Sequence, residues 1–486
     1  MKNFRLLAAA AAVLAFASCQ KEAEPEGEIS VVAREVTVGA KAQETPIAIT
    51  ANNSWAAYVE EDWLSVNPEA GEAGENVMIT ISIAANTEEE GRSALIKFTC
   101  KNATAEFTVN QLAYDPLADA VNLSLEGTAN CYIVAPGAKA YFTGNVKGNS
   151  EESVGEVADV KLVWQSEKGL VKSLAWKSAA NAVLFECGDV SGNAVVAVAD
   201  AAGAVLWSWH LWVTDYNPAE SLYTTEANAS GTTWSFMDRN LGATSMEKGT
   251  FDKNAGLIYQ WGRKDPFPSA VSYTVQNYDY SYEADGEPAV YDIDGNELPK
   301  VSSKAAAYGS VALGIANPDV FYKVVSVNTG KQDEDGSDIY ENVPRSSDWS
   351  DTSDDDAWGG VSMKKSVYDP CPAGYKVPVC DADGNTPYAW MVYKEMEWDT
   401  TYYGAMMNGQ WFPTIGTRVY ASGGLNYPEA NPYSGMWIGT AGKANADLDT
   451  YPTLYGQYMF IINGKRTFKV NKDCRSQGLN VRCVAE

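Results

Sequence analysis

Short runs of alternating apolar and polar residues, separated by Gly, Asn, Asp and Pro, dominate this chain of 486 residues. Alternation is clear at residues 77–83 and 95–98. Such a pattern places one face of a strand in a core and the other face in solvent. Helical periodicity is scarce along the sequence. The pattern therefore predicts a mainly β protein built from several domains.

Residues 29–113 form the first predicted domain. Six strand-like runs are bounded by turn-forming residues, and they cover residues 29–38, 46–50, 54–59, 77–84, 93–99 and 106–111. Strands of this length and spacing are typical of a small β-sandwich of about seven strands.

Short phrases within this domain carry a family resemblance. They are Asn53-Ser54-Trp55, residues 63–68, Ala85-Asn86-Thr87, Arg92-Ser93-Ala94 and Val109-Asn110-Gln111. Together they resemble the BACON domain, an immunoglobulin-like module of Bacteroidetes surface proteins that often precedes carbohydrate-active domains. The resemblance implies an immunoglobulin-like sandwich that either binds sugar or acts as a spacer. We expect Trp55 and Trp63 to pack in its core.

Residues 114–216 form the second predicted domain, again an immunoglobulin-like β-sandwich. Its most apolar run, residues 205–213, places Trp207, Trp209 and Leu211 on one face and Ser208, His210 and Trp212 on the other. We expect one face to lie in the core and the other to contact a neighbouring domain. The phrases of this domain resemble a segment common in large Bacteroides surface proteins and fimbrillin-associated proteins.

Residues 217–486 form the third predicted domain. Four phrases mark it, at residues 234–243, 256–267, 369–378 and 478–484. Their order resembles the Fibrobacter succinogenes major paralogous domain, a secreted module with a C-type-lectin-like appearance. The resemblance implies a mixed α+β lectin-like domain, interrupted by an insertion at about residues 268–366. A structureless loop of that length would be unusual, so we expect the insertion to fold onto the domain or to shape a functional surface.

The first 28 residues indicate how the protein is targeted rather than how it folds. Lys2 and Arg5 precede an apolar run at residues 6–17, and Cys19 follows Ala17 and Ser18. The run is too short to span a membrane. The layout resembles the lipobox of bacterial lipoproteins, in which the cysteine is acylated; a plain secretory signal is the alternative. We expect residues 1–18 to be a signal peptide, Cys19 to carry the lipid and residues 19–28 to be an acidic tether.

The charge of the chain limits its partners. There are 36 Lys and Arg residues against 63 Asp and Glu residues, a formal net charge of −27. Such a charge repels nucleic acid and anionic lipid headgroups, so we expect membrane contact only through the N-terminal lipid. Acidic residues after Cys19 resemble the export signal of Bacteroidetes surface lipoproteins. They imply an outer-membrane protein that faces the cell exterior.

Candidate catalytic chemistry is limited by a single histidine, His210. A Ser-His-Asp triad or a Cys-His pair would have to use this one residue, and a zinc site with several histidines is excluded. His210 lies in a dense aromatic strand, which favours a packed structural residue. We therefore expect no enzymatic activity; a glycan-processing enzyme with paired carboxylates is the alternative.

Four cysteines in the third domain are disulfide candidates for an extracytoplasmic protein: Cys371, Cys380, Cys474 and Cys483. Four cysteines allow three connectivities, and free buried thiols are a further alternative. The resemblance to lectin-like folds implies a bond between Cys371 and Cys483, with a bond between Cys380 and Cys474 nested inside it. The three other cysteines of the mature chain, Cys100, Cys131 and Cys187, are expected to be small core residues.

Acidic loops of the third domain are candidate calcium ligands. The residues concerned are Asp292, Asp294, Asp354, Asp355 and Asp356. Oxygen-rich loops of this kind can hold calcium, but none has the full EF-hand spacing. Solvated loop charge is the alternative. Calcium is the one cofactor that we consider.

Glycan binding by the third domain is the predicted function. The candidate stacking residues are Trp349, Trp358, Trp411 and Trp437, most of which lie close to Gly, Ser or Asp in predicted loops. Aromatic faces and loop polar groups are the usual means of holding a sugar. The alternative for each tryptophan is core packing. The alternative function is a fimbria-associated adhesion or structural role in which the partner is another surface protein.

Overall fold

A computed structural model describes residues 26–269, 287–305, 309–343, 348–388, 396–399, 401–426, 433–442, 455–462 and 467–486. The chain divides into two compact units, Met1–Ala118 and Asp119–Glu486. Both are built from antiparallel and mixed β-sheets, which confirms the mainly β multidomain prediction. Cys19 and the signal segment lie outside the described residues.

The first unit is a β-sandwich of nine strands. The strands are β1 Ile29–Val31, β2 Glu35–Val38, β3 Gln43–Ala51, β4 Trp55–Val59, β5 Leu64–Asn67, β6 Ala70–Gly71, β7 Gly74–Ile83, β8 Arg92–Cys100 and β9 Ala103–Gln111. One sheet has the order β1-β3-β7-β5 and the other the order β2-β9-β8-β4-β6. Alternate residues of β7 and β8 are buried, as the sequence pattern predicts.

Both tryptophans of this sandwich pack as expected. Trp55 is 3% exposed and lies edge-to-face with Phe98, at 6.4 Å between ring centroids. Trp63 packs against the edge of the same core, and the Arg92 guanidinium covers its ring at 4.3 Å. Neither indole is a free platform for a ligand.

The second unit begins with another sandwich of two four-stranded sheets. Its strands are β10 Val121–Asn122, β11 Cys131–Val134, β12 Lys139–Thr143, β13 Asp159–Gln165, β14 Val171–Lys177, β15 Ala182–Cys187, β16 Gly192–Ala199 and β17 Val205–Val213. The sheet orders are β10-β12-β15-β14 and β11-β17-β16-β13. Short 3-10 helices cover Ser178–Ala180 and Pro218–Glu220.

Strand β17 is buried on both faces. Trp207, Trp209 and Leu211 pack in the core of the sandwich. On the other face, Trp212 belongs to a second core that also contains Trp261 and Trp437 from the region after residue 216. Each face of β17 therefore packs in a different hydrophobic cluster. The sheets separate near residue 216, but the hydrophobic core continues across it, so Asp119–Glu486 is one compact unit.

The remaining described residues add eighteen short strands and two helices. They are β18 Tyr223–Thr224, β19 Ser235–Phe236, α1 Phe251–Asn254, β20 Ile258–Gln260, β21 Ser302–Ala305, α2 Val311–Ala316, β22 Val320–Lys323, β23 Val325–Gln332, β24 Asp338–Val343, β25 Tyr375–Lys376, β26 Glu397–Asp399, β27 Gly404–Met407, β28 Gln410–Pro413, β29 Thr417–Arg418, β30 Leu425–Asn426, β31 Tyr433–Gly442, β32 Tyr455–Ile462, β33 Thr467–Cys474, β34 Gly478–Asn480 and β35 Val484–Ala485.

A seven-stranded sheet is the centre of this region. Its order is β30-β29-β34-β31-β32-β33, and β20 pairs with β34. A four-stranded sheet has the order β18-β19-β35-β25. It pairs strands from the start of this region with the last strand of the chain. The α-helices in the described part of this region have only four and six residues, so it is more strongly β than the expected mixed α+β domain.

The insertion at about residues 268–366 folds onto this region where the structure describes it. Strands β21 and β22 pair in parallel, and β23 and β24 form an antiparallel pair. Phe321 and Tyr322 of β22 are buried, and Phe321 packs edge-to-face on Phe267, at 5.3 Å between centroids. The insertion therefore contributes core residues as well as surface.

One of the two predicted disulfides is present. Cys371 and Cys483 are joined, and both are buried. The prediction that Cys380 pairs with Cys474 is wrong. Cys380 is a buried thiol whose Sγ lies 3.9 Å from Gln457 Oε1. Gln457 on β32 pairs with Lys472 on β33. Lys472 lies two residues before Cys474, so Cys380 is not opposite Cys474 along β33.

Asp473 on β33 gives the first testable prediction. Its carboxylate accepts a hydrogen bond from the Cys474 N–H at 2.7 Å, and burial raises the pKa of Asp473 to about 6. The protonated form is therefore favoured in the fold: this stabilisation is full below about pH 4 and is lost as the pH rises through about 6. Asp473→Asn should stabilise the protein by about 3 kcal/mol at pH 8 and by less than about 1 kcal/mol at pH 4, because the pKa lies about two units above its ordinary value and one pKa unit corresponds to about 1.4 kcal/mol.

Thermal unfolding at the two pH values measures this difference. Asp335→Asn is the matched control, because Asp335 lies in an exposed turn. We expect the control to leave the melting temperature unchanged at both pH values. An equal shift for Asp473→Asn at pH 4 and pH 8 would contradict the assignment.

Candidate binding pocket

The loop that follows β20 forms one wall of a pocket. Gly262 turns the chain with φ +81°, and a Cβ there would lie 2.8 Å from the Ala357 Cβ. Trp261 is buried and donates its indole N–H to the Ile438 carbonyl at 2.8 Å. The loop is therefore fixed to the central sheet on one side and to the segment around Ala357 on the other.

Arg263 attaches the insertion to this loop. Its Nη1 donates to Gln260 Oε1 at 3.1 Å and to the Val320 carbonyl at 2.6 Å. Its Nη2 donates to three more carbonyls, those of Asn317, Pro318 and Gly314, at 2.9, 3.2 and 3.4 Å. Burial lowers the pKa of Arg263, and Asp265 opposes that shift. Arg263 therefore connects the loop to the C-terminal end of α2 and to the residues that follow it.

Lys264 and Asp265 connect the loop to the second sandwich. Lys264 Nζ donates to Asp265 Oδ1 at 2.6 Å, and to the hydroxyl and carbonyl of Ser208 on β17. The Ser208 hydroxyl in turn donates to Asp265 Oδ1 at 2.6 Å. Burial lowers the pKa of Lys264. All three residues are almost fully buried, so this charged cluster lies at the junction between the sheets.

Arg475 forms the base of the pocket. Its guanidinium lies 4.2 Å from the centre of the Trp261 ring. It forms ion pairs with Asp348 and Asp355, and the Nη1–Oδ2 distance to Asp348 is 3.6 Å. Burial raises the pKa of Asp348, and Arg475 opposes the shift. Arginine here combines charge pairing with stacking on an aromatic face.

The pocket itself has an empty volume of about 490 Å³, including its open mouth. Residues 261–265, the helix α2 and residues 348–357 surround it, with Tyr368 and Arg475 completing the wall. Aromatic surface and polar groups meet here, which is the usual make-up of a small-molecule site.

Two predicted site residues meet at this pocket. Trp349 lines it, is 6% exposed, and donates its indole N–H to the Trp261 carbonyl at 2.7 Å. Asp354 also lines it and is exposed. They were predicted separately, one as a stacking residue and one as a calcium ligand. Trp349 lacks the broad exposed face that stacking would need, and the Arg263 guanidinium lies 5.7 Å from the centre of its ring.

The other three candidate tryptophans are core residues, so their prediction as exposed stacking faces is wrong. Trp358 and Trp437 donate their indole N–H groups to the carbonyls of Tyr368 and Tyr259. Trp411 is 4% exposed and packs against Gly404 and Lys248. A ring that is covered on both faces cannot stack on a sugar.

Asp292, Asp355 and Asp356, three of the other carboxylates proposed for calcium, have hydrogen-bond or ion-pair partners within the protein. Asp355 pairs with Arg475, and Asp356 Oδ1 accepts the N–H groups of Val361 and Ser362. The Asp292 side chain accepts the backbone N–H groups of Asp294 and Asn296. Side-chain and backbone hydrogen bonds from Asn296 lower the pKa of Asp292. Among the described residues no three His, Cys, Asp or Glu side chains form a group that could hold a metal ion.

His210 is a structural residue. It is buried on β17, and its Nε2 lies 2.9 Å from Asn193 Oδ1. Burial lowers the pKa of His210 to about 3, so the ring is neutral at physiological pH. Ser208 lies beside an amine with a lowered pKa, but it does not line the pocket, and its hydroxyl is engaged by Lys264 and Asp265.

Sequence reasoning did not identify Arg263, Lys264, Asp265 or Gly314 as site residues. The sequence does contain one indication of such a site. At residues 263–265, three consecutive charged residues follow a mostly apolar run. Charged residues in such a position are either solvated or buried in pairs, and only the fold shows which.

Comparison with known proteins defines one part of the chain. Residues 28–114 match the family model described as "Viral BACON domain". No curated protein matches the chain. No helix in the described ranges is long and apolar enough to cross a bilayer.

Solved structures match only parts of the chain. A Bacteroides ovatus GH5 xyloglucanase in complex with a XXXG heptasaccharide is 18% identical, with 24% of this chain and 27% of that chain covered and a TM-score of 0.17. A Bacteroides thetaiotaomicron protein solved by NMR is 18% identical, with 17% and 77% covered and a TM-score of 0.13. Domains 4 and 5 of the S-layer protein SbsC are 16% identical, with 18% and 54% covered and a TM-score of 0.15. The chain covers about a quarter of the xyloglucanase, and these TM-scores support no argument about function.

Proposed function

We propose that this protein is a non-catalytic glycan-binding protein of the bacterial cell surface, and that the pocket beside α2 holds a sugar residue. One observation carries the proposal: Trp261, Trp349 and Tyr368 line the pocket together with polar groups. The aromatic side chains give the pocket apolar walls, and the polar groups suit the hydroxyls of a sugar.

Two other features support the proposal. The BACON domain at residues 28–114 belongs to a family associated with surface and carbohydrate-active proteins. The net charge of −27 disfavours anionic ligands and does not oppose the binding of neutral sugars. Anchoring in the outer membrane through a lipid on Cys19 belongs to the proposal as a prediction from the sequence.

The proposal predicts that blocking the mouth of the pocket removes glycan binding. Thr352 lines the pocket and is exposed, so Thr352→Trp fills the mouth without disturbing the core. We expect the variant to lose at least about tenfold in affinity, since a blocked site forfeits more than about 1.4 kcal/mol. A glycan array followed by calorimetry with the best ligand measures the loss.

Leu313→Trp is the matched control. Leu313 is 43% exposed on α2 and does not line the pocket. We expect this variant to bind as the unaltered chain does. Equal binding by Thr352→Trp would place the glycan elsewhere. Absence of glycan binding, with co-purification of a pilin, would favour the fimbrial adhesion alternative.

A further inference from the structure

One hydrogen-bond donor on the pocket wall has no partner. Arg263 Nε is buried and makes no hydrogen bond, although both terminal nitrogens of the same guanidinium are fully used. The nearest charged atom is Asp265 Oδ2, at 3.8 Å, which is too long for a direct hydrogen bond. Both residues line the pocket.

Asp265 Oδ2, the acceptor nearest to Arg263 Nε, also receives no hydrogen bond from a described residue. Asp265 Oδ1 receives hydrogen bonds from Lys264 and Ser208, whereas no described residue donates one to Asp265 Oδ2. A donor and an acceptor 3.8 Å apart therefore lie on the pocket wall, and one oxygen atom beside the pair can be within hydrogen-bond distance of both. An oxygen at ordinary hydrogen-bond distances from both atoms bridges a gap of this width.

Gly314 keeps the approach to this gap open. A Cβ at Gly314 would lie 3.0 Å from Trp349 Cζ3 and 4.0 Å from Arg263 Nε. Glycine is unfavourable inside a helix, yet it occupies a middle position of the six-residue α2. The missing side chain leaves space between the Trp349 ring and the open guanidinium nitrogen.

We propose that Arg263 Nε and Asp265 Oδ2 together bind one hydroxyl group of a neutral sugar, with Gly314 and Trp349 shaping the space for its ring. The hydroxyl oxygen accepts from Arg263 Nε–H, and its proton is donated to Asp265 Oδ2. A carboxylate, sulfate or phosphate lacks the proton and would face Asp265 and Asp348. An ammonium group cannot accept the bond from Arg263. The inference rests on the proposed function and specifies its ligand class.

The test uses the full chain and the methyl glycosides of glucose, galactose and mannose, together with their monodeoxy derivatives. We expect at least one methyl glycoside to bind. We also expect removal of one particular hydroxyl to weaken its binding by at least about tenfold, because a buried polar pair is then left unsatisfied. The Nε–H signal of Arg263 in an NMR spectrum should shift on binding.

Gly314→Ala is the complementary variant, because its methyl group occupies the space beside Arg263 Nε. We expect binding at least about tenfold weaker, and thermal unfolding measures separately what the 3.0 Å approach to the Trp349 ring costs. Ala312→Val, on the exposed side of α2, is the control and should bind normally.

The outcomes separate the inference from the proposed function. Equal binding by all monodeoxy sugars and by Gly314→Ala would overturn the inference, while sensitivity to Thr352→Trp would keep the pocket as the glycan site. Binding of anionic sugars alone would also overturn it. Failure of every array glycan and every methyl glycoside to bind would overturn both. If Gly314→Ala unfolds, the binding of the monodeoxy sugars to the unaltered chain tests the inference by itself.

Discussion

The Asp265→Ala variant is expected to lose about 3–5 kcal/mol of the free energy of unfolding, the range found when one partner of a buried ion pair is removed. Lys264 is almost fully buried, and Asp265 is the only carboxylate that pairs with it in the described part of the chain. Without Asp265, the amine keeps only the two oxygens of Ser208. A buried ammonium with neutral partners alone must lose its proton or open the structure to water.

The effect should extend beyond the loop. Ser208 belongs to β17 of the second sandwich, whereas Lys264 and Asp265 belong to the pocket wall. The loss should therefore weaken the junction that makes Asp119–Glu486 one unit. Chemical denaturation monitored by tryptophan fluorescence measures the change, since Trp207 lies 4.6 Å from Lys264 Nζ.

The double variant Lys264→Met with Asp265→Leu is the control. Replacing a whole buried pair by apolar residues of similar volume is often close to neutral. We expect the double variant to be more stable than Asp265→Ala. A cost below about 1 kcal/mol for Asp265→Ala would mean that water reaches Lys264 and that the pair is not the buried contact described above.

Loss of the disulfide is expected to have a comparable effect. Cys371 and Cys483 are separated by 112 residues, and a crosslink over such a distance restricts the unfolded chain strongly. We expect the variant with Cys371→Ala and Cys483→Ala to lose about 3–5 kcal/mol of the free energy of unfolding. The bond ties the segment beside Tyr368 to the final strands, so the pocket wall should loosen as well.

Cys380→Ala is the matched control, because Cys380 is a buried cysteine without a disulfide. We expect a loss of about 1 kcal/mol there, from the small cavity alone. Peptide mapping of the non-reduced chain provides an independent check. A peptide pair containing Cys380 and Cys474 would contradict the pairing, and so would equal costs for the two variants.

The sandwich folds could be predicted from the sequence because alternation is a local property. The run at residues 77–83 becomes most of β7, with its apolar residues turned inward as expected. The two faces of β17 were also predictable from the period of the pattern, and Trp212 does pack against the region after residue 216. The bond between Cys371 and Cys483 followed from a family resemblance, which carries information on long-range contacts that spacing lacks.

The candidate site was less predictable because it depends on contacts between distant segments. Trp349 and Trp358 have similar neighbours in sequence, yet only Trp349 reaches the pocket. Arg263 organises the site through backbone carbonyls at residues 314–320, and no residue type at those positions signals such a contact. The error at Cys380 has the same origin, since its position relative to Cys474 depends on the register of β32 and β33.

Dissection of the chain tests the central claim most directly, because each compact unit has its own hydrophobic core. Residues 26–118 and residues 119–486 are produced separately and applied to the same glycan array as residues 26–486. We predict that residues 119–486 bind the same glycans as residues 26–486 and that residues 26–118 bind none of them. Glycan binding confined to residues 26–118 would contradict the claim that the pocket beside α2 is the glycan site.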